Sequence, residues 1–270
     1  MAIITISRGT FSGGRDLAEC VAEKLGYPCL GREGVLEAAS AYGISREKLA
    51  SALEHPPSFW ERLTGLRLQY LNYVRAALCD HAPEGNLVYH GHAGHLLLPE
   101  TCHVIRVRVI ADMDYRINAA MKREKLSRDE AIAYIKKVDR ERALWTRFLY
   151  GVDWQDPGLY DLVVNVQRLG IAAACDALAA MARLEAFRPT DQALKAMRDL
   201  ALGHKVWVEL ARNPDTRAAE LEVLADDGVV TITGTTHFPS VYEAIPAVAA
   251  RVEGVKRVRS LVVETSKTYP

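Results

Sequence analysis

The chain has 270 residues, 49% of them hydrophobic, so it can bury a sizeable core and divide into one or two domains. Its 34 lysines and arginines balance 34 aspartates and glutamates. This balance excludes a global positive field that would recruit nucleic acid or an anionic membrane, so any anion site must be local.

The cysteines and the termini indicate the cellular setting. Five cysteines are scattered singly without a C-x-x-C pair, which is typical of thiols in a reducing compartment. We therefore expect no disulfide. No basic segment precedes an apolar run at the amino terminus, and the most apolar predicted helix, near residues 171–182, is too short to span a bilayer. The expected location is the cytoplasm.

Residues 3–18, I-I-T-I-S-R-G-T-F-S-G-G-R-D-L-A, predict a buried strand, a tight loop and the start of a helix. Gly9, Gly13 and Gly14 lack Cβ atoms, so the backbone can curl around an anion and direct its N–H groups at it. The positive amino-terminal end of the helix strengthens such a site. The stretch therefore predicts a phosphate loop.

The match to the phosphate-loop pattern G-x-x-x-x-G-K-[ST] is partial. Gly9 and Gly14 have the expected spacing, but Arg15 stands in place of Lys and Asp16 in place of the hydroxyl. Arg15 is expected to hold phosphate oxygens as a planar fork, and Asp16 to meet Mg²⁺ directly or through water. The alternative is a plain glycine-rich turn that binds nothing.

Strands alternate with helices from Ile3 to Leu184, which predicts an α/β domain of three layers with a mainly parallel sheet. Further strands are expected at residues 86–89, 103–110 and 160–165, and helices at 34–41, 58–81 and 170–184. The aromatic stripe of helix 58–81 is interpreted as core or subunit contact rather than a base-stacking platform. Ser127 and Glu130 form a capping box that opens another helix.

Two polar stretches leave alternatives open. The histidines at 90, 92 and 95 are compatible with zinc, but a polar turn at the carboxyl end of a strand, where open α/β sheets place ligands, is favoured. The basic run between residues 136 and 147 is either a solvated helix face or a set of arginines positioned for phosphoryl transfer.

The pattern changes after a short linker at residues 185–191. A helix, three strands and another helix are expected beyond it, with a hairpin turn at residues 226–228. The last helix is predicted over residues 240–252 with Gly254 as its C-cap, and the last strand over 255–263. This part reads as a small, separate α+β module without a catalytic constellation.

Several motifs in order resemble the cytidylate kinase-like family over about residues 1–185. They are I-T-I-S-R, S-G-G-R-D-L-A, Arg32-Glu33, G-H-A, A-I-A-Y-I-K-K-V-D-R-E-R, G-V-D-W and Y-D-L-V-V-N. The resemblance implies a P-loop nucleoside monophosphate kinase fold for residues 1–187.

The resemblance also implies roles for individual residues. ATP phosphates would lie at the loop residues Gly9, Ser12, Gly13, Gly14, Arg15 and Asp16. The acceptor would bind through Arg32, His92 and Asp139. The catalytic cations would be Arg15 and the residues Lys137, Arg140 and Arg142 of a mobile basic lid that includes Asp139. The implied cofactors are ATP and Mg²⁺, and no protein ligand for a structural metal is assigned.

The chain departs from the family pattern in a few places. Phe11 stands where members usually have Gly, and His92 where they have Arg in the G-R-x-A segment. Ala119 and Ala120 replace an arginine pair expected early in the lid. These departures affect catalysis more than nucleotide binding.

The carboxy-terminal part, residues 188–270, is similar to a BON domain through G-V-V-T-I-T-G and V-E-G-V-K-R-V. This similarity implies a module that binds a lipid, a small ligand or a protein. Two functions follow from the sequence: an ATP-dependent kinase of a nucleoside monophosphate such as CMP or dCMP, or a catalytically degenerate nucleotide sensor coupled to the BON-like module. A nucleotide is the expected partner, and nucleic acid is not.

Overall fold

The structure is a computed structural model that describes residues 2–54, 66–81, 85–91, 93–99 and 104–265; for residues 51–54 and 66–70 it describes the backbone alone. In this part of the chain, a five-stranded parallel sheet has the order β2-β3-β1-β4-β5. Its strands are β1 (Ile3–Arg8), β2 (Cys29–Gly31), β3 (Leu87–His90), β4 (Val104–Ile110) and β5 (Leu162–Asn165).

Helices connect these strands and cover both faces of the sheet, as crossovers between parallel strands require. They are α1 (Gly14–Leu25), α2 (Arg32–Ser40), α3 (Arg46–Glu54), α4 (Leu66–Asp80), α5 (Gly94–Leu97), α6 (Met113–Glu124), α7 (Arg128–Tyr150), α8 (Val166–Leu169) and α9 (Ile171–Met181). The predicted α/β fold of three layers is confirmed.

The central strand β1 is buried on both faces, because the sheet is covered on both. Ile4 and Ile6 pack in one core with residues of α1 and α9, whereas Ile3 packs in the other with residues of α2 and α4. With β1 buried between β3 and β4, the loop that follows Arg8 emerges at the carboxyl edge of the sheet. This edge is where open α/β sheets bind ligands.

The carboxy-terminal part contains α10 (Asp191–Arg212), β6 (Glu220–Asp226), β7 (Val229–Thr236), α11 (Pro239–Ala249) and β8 (Arg257–Glu264). Its strands form a second sheet of order β6-β7-β8, with an antiparallel β6–β7 hairpin and a parallel β7–β8 pair. The predicted separate α+β module is confirmed. The boundary between residues 187 and 188 stays a prediction.

Local sequence signals account for most element ends. Gly26 adopts the left-handed conformation that ends α1, and Ser127 and Glu130 form the predicted capping box of α7. The prediction that the last helix continues to residue 252 was wrong: α11 ends at Ala249, and Gly254 lies in the turn before β8. Of the predicted helix 58–81, residues 66–80 are helical and residues 55–65 lie outside the described part.

The expectation that the cysteines stay unpaired was also wrong. Cys20 of α1 and Cys175 of α9 form a disulfide with their Cα atoms 6.1 Å apart. The two residues are separated by 155 positions, and only the packing of α1 against α9 brings them together. The two cysteines stand singly and far apart in the sequence, so their spacing gives no indication that they pair. Cys29 is a free, exposed thiol.

Within the described residues, no helix has both the length and the apolar character needed to cross a membrane.

We expect reduction of the Cys20–Cys175 bond to lower the melting temperature of the oxidised protein. A cross-link over so long a loop restricts the unfolded chain, an effect typically of about 2–4 kcal/mol. Thermal unfolding with and without a phosphine reductant measures the difference. The double variant Cys20→Ser/Cys175→Ser should not respond to the reductant, whereas Cys29→Ser should respond like the unaltered chain. An equal response of the double variant would contradict the assignment.

Candidate active site

The loop of residues 9–13 joins the buried end of β1 to the first turn of α1. Gly13 is the N-cap residue of α1 and has φ 82°, a left-handed conformation that favours glycine. The N–H groups of the first helical turn have no partners within the helix, so they can bind an anion. The loop thus has the strand, turn and helix arrangement that the sequence predicts.

Ser12 fixes the base of the loop from inside. Its side chain is buried, and Oγ lies 2.9 Å from the Gly9 carbonyl oxygen and 3.2 Å from that of Val109 in β4. The hydroxyl donates to these carbonyl groups, so it holds the loop against the neighbouring strand. The Ser12 N–H also donates to the Gly9 carbonyl oxygen, at 3.2 Å, so a role of Ser12 as a phosphate ligand requires a change of hydrogen-bond partner.

Phe11, the residue that departs from the family pattern, also has a left-handed backbone, with φ 60°. Such a conformation costs roughly 1–2 kcal/mol at a non-glycine residue. Its ring packs against a small apolar cluster of α6 and α7, with its centroid 5.9 Å from that of Tyr134. Phe11 thus attaches the loop to the candidate lid helix.

Asp139 of α7 also holds the loop. Its Oδ1 accepts hydrogen bonds from the Thr10 N–H at 3.1 Å and from Thr10 Oγ1 at 2.7 Å, and its Oδ2 forms an ion pair with Arg116 of α6. Arg116 Nε donates to the Thr10 carbonyl oxygen at 2.7 Å. Asp139, predicted as an acceptor ligand, therefore contacts the loop itself; its contact with an acceptor stays a prediction.

Arg116 was missed by the sequence analysis, although it lies directly over the loop. A Cβ added to Gly9 would be 3.3 Å from Arg116 Cζ, so glycine leaves the space that this guanidinium occupies. The sequence gives only a weak indication of this position, because Arg116 follows Asp114 and Tyr115 in the first turn of an ordinary helix. Only the packing of α6 on α7 places it at the loop.

Arg142 is the predicted catalytic residue that the structure brings to the loop. Its Nη1 donates to the Arg8 carbonyl oxygen at 3.2 Å and to Thr10 Oγ1 at 3.1 Å. Burial lowers the pKa of Arg142 to about 10, and the positive charges of Arg8 and Arg32 act in the same direction, against the effect of Asp139. A concentration of positive charge therefore lies beside the loop.

The other predicted catalytic cations lie at the surface. Arg15 has a side chain that is 61% exposed, and its Nε lies 2.7 Å from Glu19 in the next turn of α1. Lys137 and Arg140 are exposed on α7 and make no hydrogen bond or ion pair with the described residues. Asp16 forms an ion pair with Arg123 at 2.6 Å. His92 lies outside the described residues.

Arg32 begins α2, directly after β2, and lies near the loop cations. Its charge lowers the pKa of Tyr89, against the larger and opposite effect of burial. It also lowers the pKa of Arg142, in the same direction as the larger effect of burial. The charge of Arg32, predicted to bind the acceptor, therefore acts on that of Arg142, predicted to be catalytic, and the contact of either residue with a nucleotide stays a prediction.

Two histidines at this edge of the sheet are buried in different surroundings. The pKa of His90 is lowered to about 4, first by burial and then by Arg8, and its ring faces Gly31. The pKa of His95 is lowered to about 3 by burial and by Arg106 and Arg108, and its Nδ1 lies 3.2 Å from Ser7 Oγ. Both imidazoles are neutral near pH 7.

Among the described residues, no group of three or more candidate ligands surrounds a metal position.

We expect Asp139→Asn to lower the free energy of unfolding by about 1–3 kcal/mol, because it leaves the nearly buried Arg116 without its counter-charge. Chemical denaturation measures the change. Glu124→Gln, at an exposed end of α6, is the control and should change stability by less than about 0.5 kcal/mol. Equal effects of the two substitutions would contradict a role for Asp139 in holding the loop.

The buried His95 should make stability depend on pH. The folded state holds a neutral imidazole down to about pH 3, whereas the unfolded chain takes up a proton near pH 6.5. The unfolded state therefore binds more protons in this window, and the free energy of unfolding falls as the pH falls, with a slope that approaches about 1.4 kcal/mol per pH unit.

Denaturation of His95→Gln between pH 7 and pH 4 should show a smaller slope than the unaltered chain. His237→Gln, at an exposed position of the carboxy-terminal part, controls for loss of an imidazole. If His95→Gln has the slope of the unaltered chain, another group causes the pH dependence.

Comparisons with known proteins agree with this arrangement. The chain is 27% identical over 184 residues to a cytidylate kinase of Ignicoccus hospitalis, a match that covers 67% of this chain and 99% of that protein. It is also 27% identical over 175 residues to a cytidylate kinase of Staphylothermus marinus, covering 63% of this chain and 90% of the relative. Both comparisons support a nucleotide kinase in general terms.

The fold also has a counterpart among solved structures. An uncharacterized protein from Eubacterium ventriosum superimposes with a TM-score of 0.51 at 21% identity, covering 67% of this chain and 98% of that one. The BON domain family matches residues 198–265. Residues 3–168 match the cytidylate kinase-like family, and the chain belongs to this family.

Proposed function

We propose that the chain is an ATP-dependent kinase of a nucleoside monophosphate, with CMP or dCMP as the first candidates. The observation that carries this proposal is the concentration of Arg8, Arg32, Arg116 and Arg142 around a glycine-rich loop at the carboxyl edge of the sheet. Transfer of a phosphoryl group develops charge that such positioned cations stabilise. The cytidine base is proposed from the names of the two relatives.

The donor would bind at the loop. The free N–H groups of the first turn of α1 suit the oxygens of ATP, and Gly13 lets the backbone approach them closely. Mg²⁺ is usually held by one or two carboxylates together with substrate phosphates. Asp16 fits this role, since its pair with Arg123 is half-exposed and such surface pairs are worth only about 0–1 kcal/mol.

The acceptor would lie between the loop and α2. The positive charge of Arg32, on α2, acts on Arg142, on α7, and a monophosphate between them would offset the repulsion of their charges. An oxygen of this monophosphate would attack the γ-phosphorus of ATP in line, the bond from that phosphorus to the β–γ bridging oxygen would break, and ADP would leave. The reaction needs little covalent chemistry from the protein, so no general base is assigned.

The exposed cations of α7 would complete the site on binding. Lys137 and Arg140 lie on the same helix as Asp139 and Arg142 but face solvent. Closure over the nucleotides would bring them to the phosphates and exclude water, which favours transfer over hydrolysis.

A coupled assay with ATP·Mg²⁺ and CMP, dCMP, UMP or AMP tests the proposal. We expect ADP formation with at least one acceptor, and a loss of at least about tenfold in kcat/KM for Arg142→Ala, because this variant removes a charge next to the loop. Arg198→Gln, exposed on α10 far along the chain, is the control for a general loss of charge. Thermal melting confirms that each variant is folded.

The absence of ADP formation with all four acceptors, from a folded protein that binds ATP, would overturn the kinase and favour a second function.

That second function is a nucleotide sensor that lacks turnover and is coupled to the BON domain. A specific contact favours it: α10 packs on α4, which belongs to the segment between β2 and β3 that would hold the acceptor. Trp207 of α10 packs edge-on to Tyr73 of α4, with ring centroids 5.0 Å apart. The Nζ atom of Lys205, also on α10, lies 3.8 Å from Oδ1 of Asp80 on α4. Movement of α4 on binding would therefore reach the BON domain.

A cleft of about 1500 Å³ at this junction is the candidate site for the ligand of the BON domain, be it a lipid, a small molecule or a protein segment. It is lined by Ile44, Arg75, Leu96, Leu200, His204 and Trp207, among others. Burial lowers the pKa of His204 to about 4, so its imidazole is neutral near pH 7. Calorimetry that shows ATP binding without turnover, together with altered hydrogen exchange in α10, would support the sensor.

A further inference from the structure

The side chain of Arg8, the last residue of β1, lies across the first residue of α1. A Cβ atom added to Gly14 would be 2.6 Å from Arg8 Cδ and 2.7 Å from Arg8 Cβ, closer than real Cβ contacts allow. The aliphatic part of Arg8 therefore occupies the space that a side chain at position 14 would need. Gly14 is required here because Arg8 passes over it.

The alignment with the phosphate-loop pattern is unchanged, with Arg15 at the position of the lysine, but the side chain at this position is held elsewhere. In that pattern a lysine near the start of the helix reaches the phosphates. Here α1 begins at Gly14 with Gly13 as its N-cap, so Gly14 stands at the first helical position and Arg15 one residue further on. The guanidinium of Arg15 pairs with Glu19 along the outer surface of the helix. The cation at the lysine position is thus held on the exposed surface of the helix by Glu19.

The guanidinium of Arg8 has the properties expected of the missing cation. Its Nε is buried and makes no hydrogen bond with any described residue, a cost that a bound oxyanion would remove. Burial lowers its pKa, and the positive charges of Arg123 and Arg15 act in the same direction. Glu33, an exposed residue of α2, is the acidic group whose charge acts on it most strongly.

The nearby positive charges are only partly balanced by the protein. Asp16 is paired with Arg123 and Glu19 with Arg15, whereas the single carboxylate of Asp139 is shared between Arg116 and Arg142, whose Nη1 lies 4.0 Å from its Oδ1. Arg8 and Arg142 remain beside each other, since the charge of Arg8 acts on Arg142 and Arg142 donates to the Arg8 carbonyl oxygen. A polyphosphate at the loop would compensate both guanidinium groups.

We infer that Arg8, reaching over Gly14 from the end of β1, is the phosphate-binding cation of this loop and takes the place of a helix-borne lysine. The inference rests on the proposed function, because it assigns a ligand at the same site. It differs from the sequence prediction, which gave this role to Arg15. The ligand class is a chain of phosphate groups, and the planar fork of arginine suits two of its oxygens at once.

Calorimetric titration of the full chain with inorganic tripolyphosphate, and separately with ATP, tests the assignment. Loss of a charge-assisted hydrogen bond predicts that Arg8→Gln lowers the affinity for tripolyphosphate by about tenfold or more. Arg8→Lys should recover part of the affinity. Arg15→Gln should lower it less than Arg8→Gln does, and Arg198→Gln, on the surface of α10, is the control for net charge.

A second pair of variants tests the contact itself. Gly14→Ala should weaken binding of tripolyphosphate, since the new methyl group would displace the Arg8 side chain. In a chain that already carries Arg8→Ala, the same Gly14→Ala substitution should have little further effect, because the two changes remove one interaction. Melting temperatures of all variants establish that they are folded.

The outcomes separate the two proposals. If the unaltered chain binds ATP but Arg15→Gln lowers tripolyphosphate affinity more than Arg8→Gln, the assignment of Arg8 is wrong and the proposed function stands. The same conclusion follows if the Gly14→Ala and Arg8→Ala effects are additive. If the unaltered chain binds neither ATP nor tripolyphosphate, both proposals fall.

Discussion

The carboxylate of Asp139 connects the phosphate loop to the helices above it. It accepts two hydrogen bonds from Thr10 and balances Arg116, whose guanidinium lies over Gly9. Without this negative charge, the arginines that surround the loop would face one another across a partly buried space, where repulsion is only weakly screened. The loop, α6 and α7 therefore form one electrostatic unit, and the positive charge left over in it is available to a phosphate ligand.

This unit limits what the candidate lid can do. Asp139 and Arg142 are fixed to the loop, while Lys137 and Arg140 on the same helix face solvent. Phe11 adds an apolar contact with Tyr134, so the residue that departs from the family pattern strengthens the link between loop and helix. The closure proposed above would thus move the side chains of the exposed cations relative to a helix that already contacts the loop.

Much of the fold could be predicted from the sequence, because it depends on local patterns. The apolar run of β1, the glycines that follow it and the capping box at Ser127 each act within a few residues. The pairing of Cys20 with Cys175 and the placement of Arg116 depend instead on how distant helices pack, for which one sequence carries no sign. The position of Arg8 over Gly14 also depends on the three-dimensional structure, because the spacing of the glycines indicates Arg15 as the phosphate ligand.

Helix α10, at the junction with the BON domain, belongs to two apolar cores at once. Helix α10 contributes Met197 and Trp207 to the core of the kinase-like part, and Val206 and Leu210 to the core of the smaller sheet. A helix that is apolar on two sides is buried on both, so the BON domain is attached to α4 by packing as well as by the chain. For this reason, the predicted boundary between residues 187 and 188 marks a change of sequence pattern, whereas packing contacts continue across it.

The bond between Cys20 and Cys175 closes a covalent ring that contains β2 to β5 and the helix α7, whereas α10 and the second sheet lie outside it. A protease that cuts a surface turn inside the ring leaves the fragments joined under oxidising conditions. A cut near residue 188 instead leaves the carboxy-terminal part held by packing alone, so the two parts separate on a denaturing gel without a reductant. Fragment patterns before and after reduction therefore map which side of the ring a cleavage site occupies.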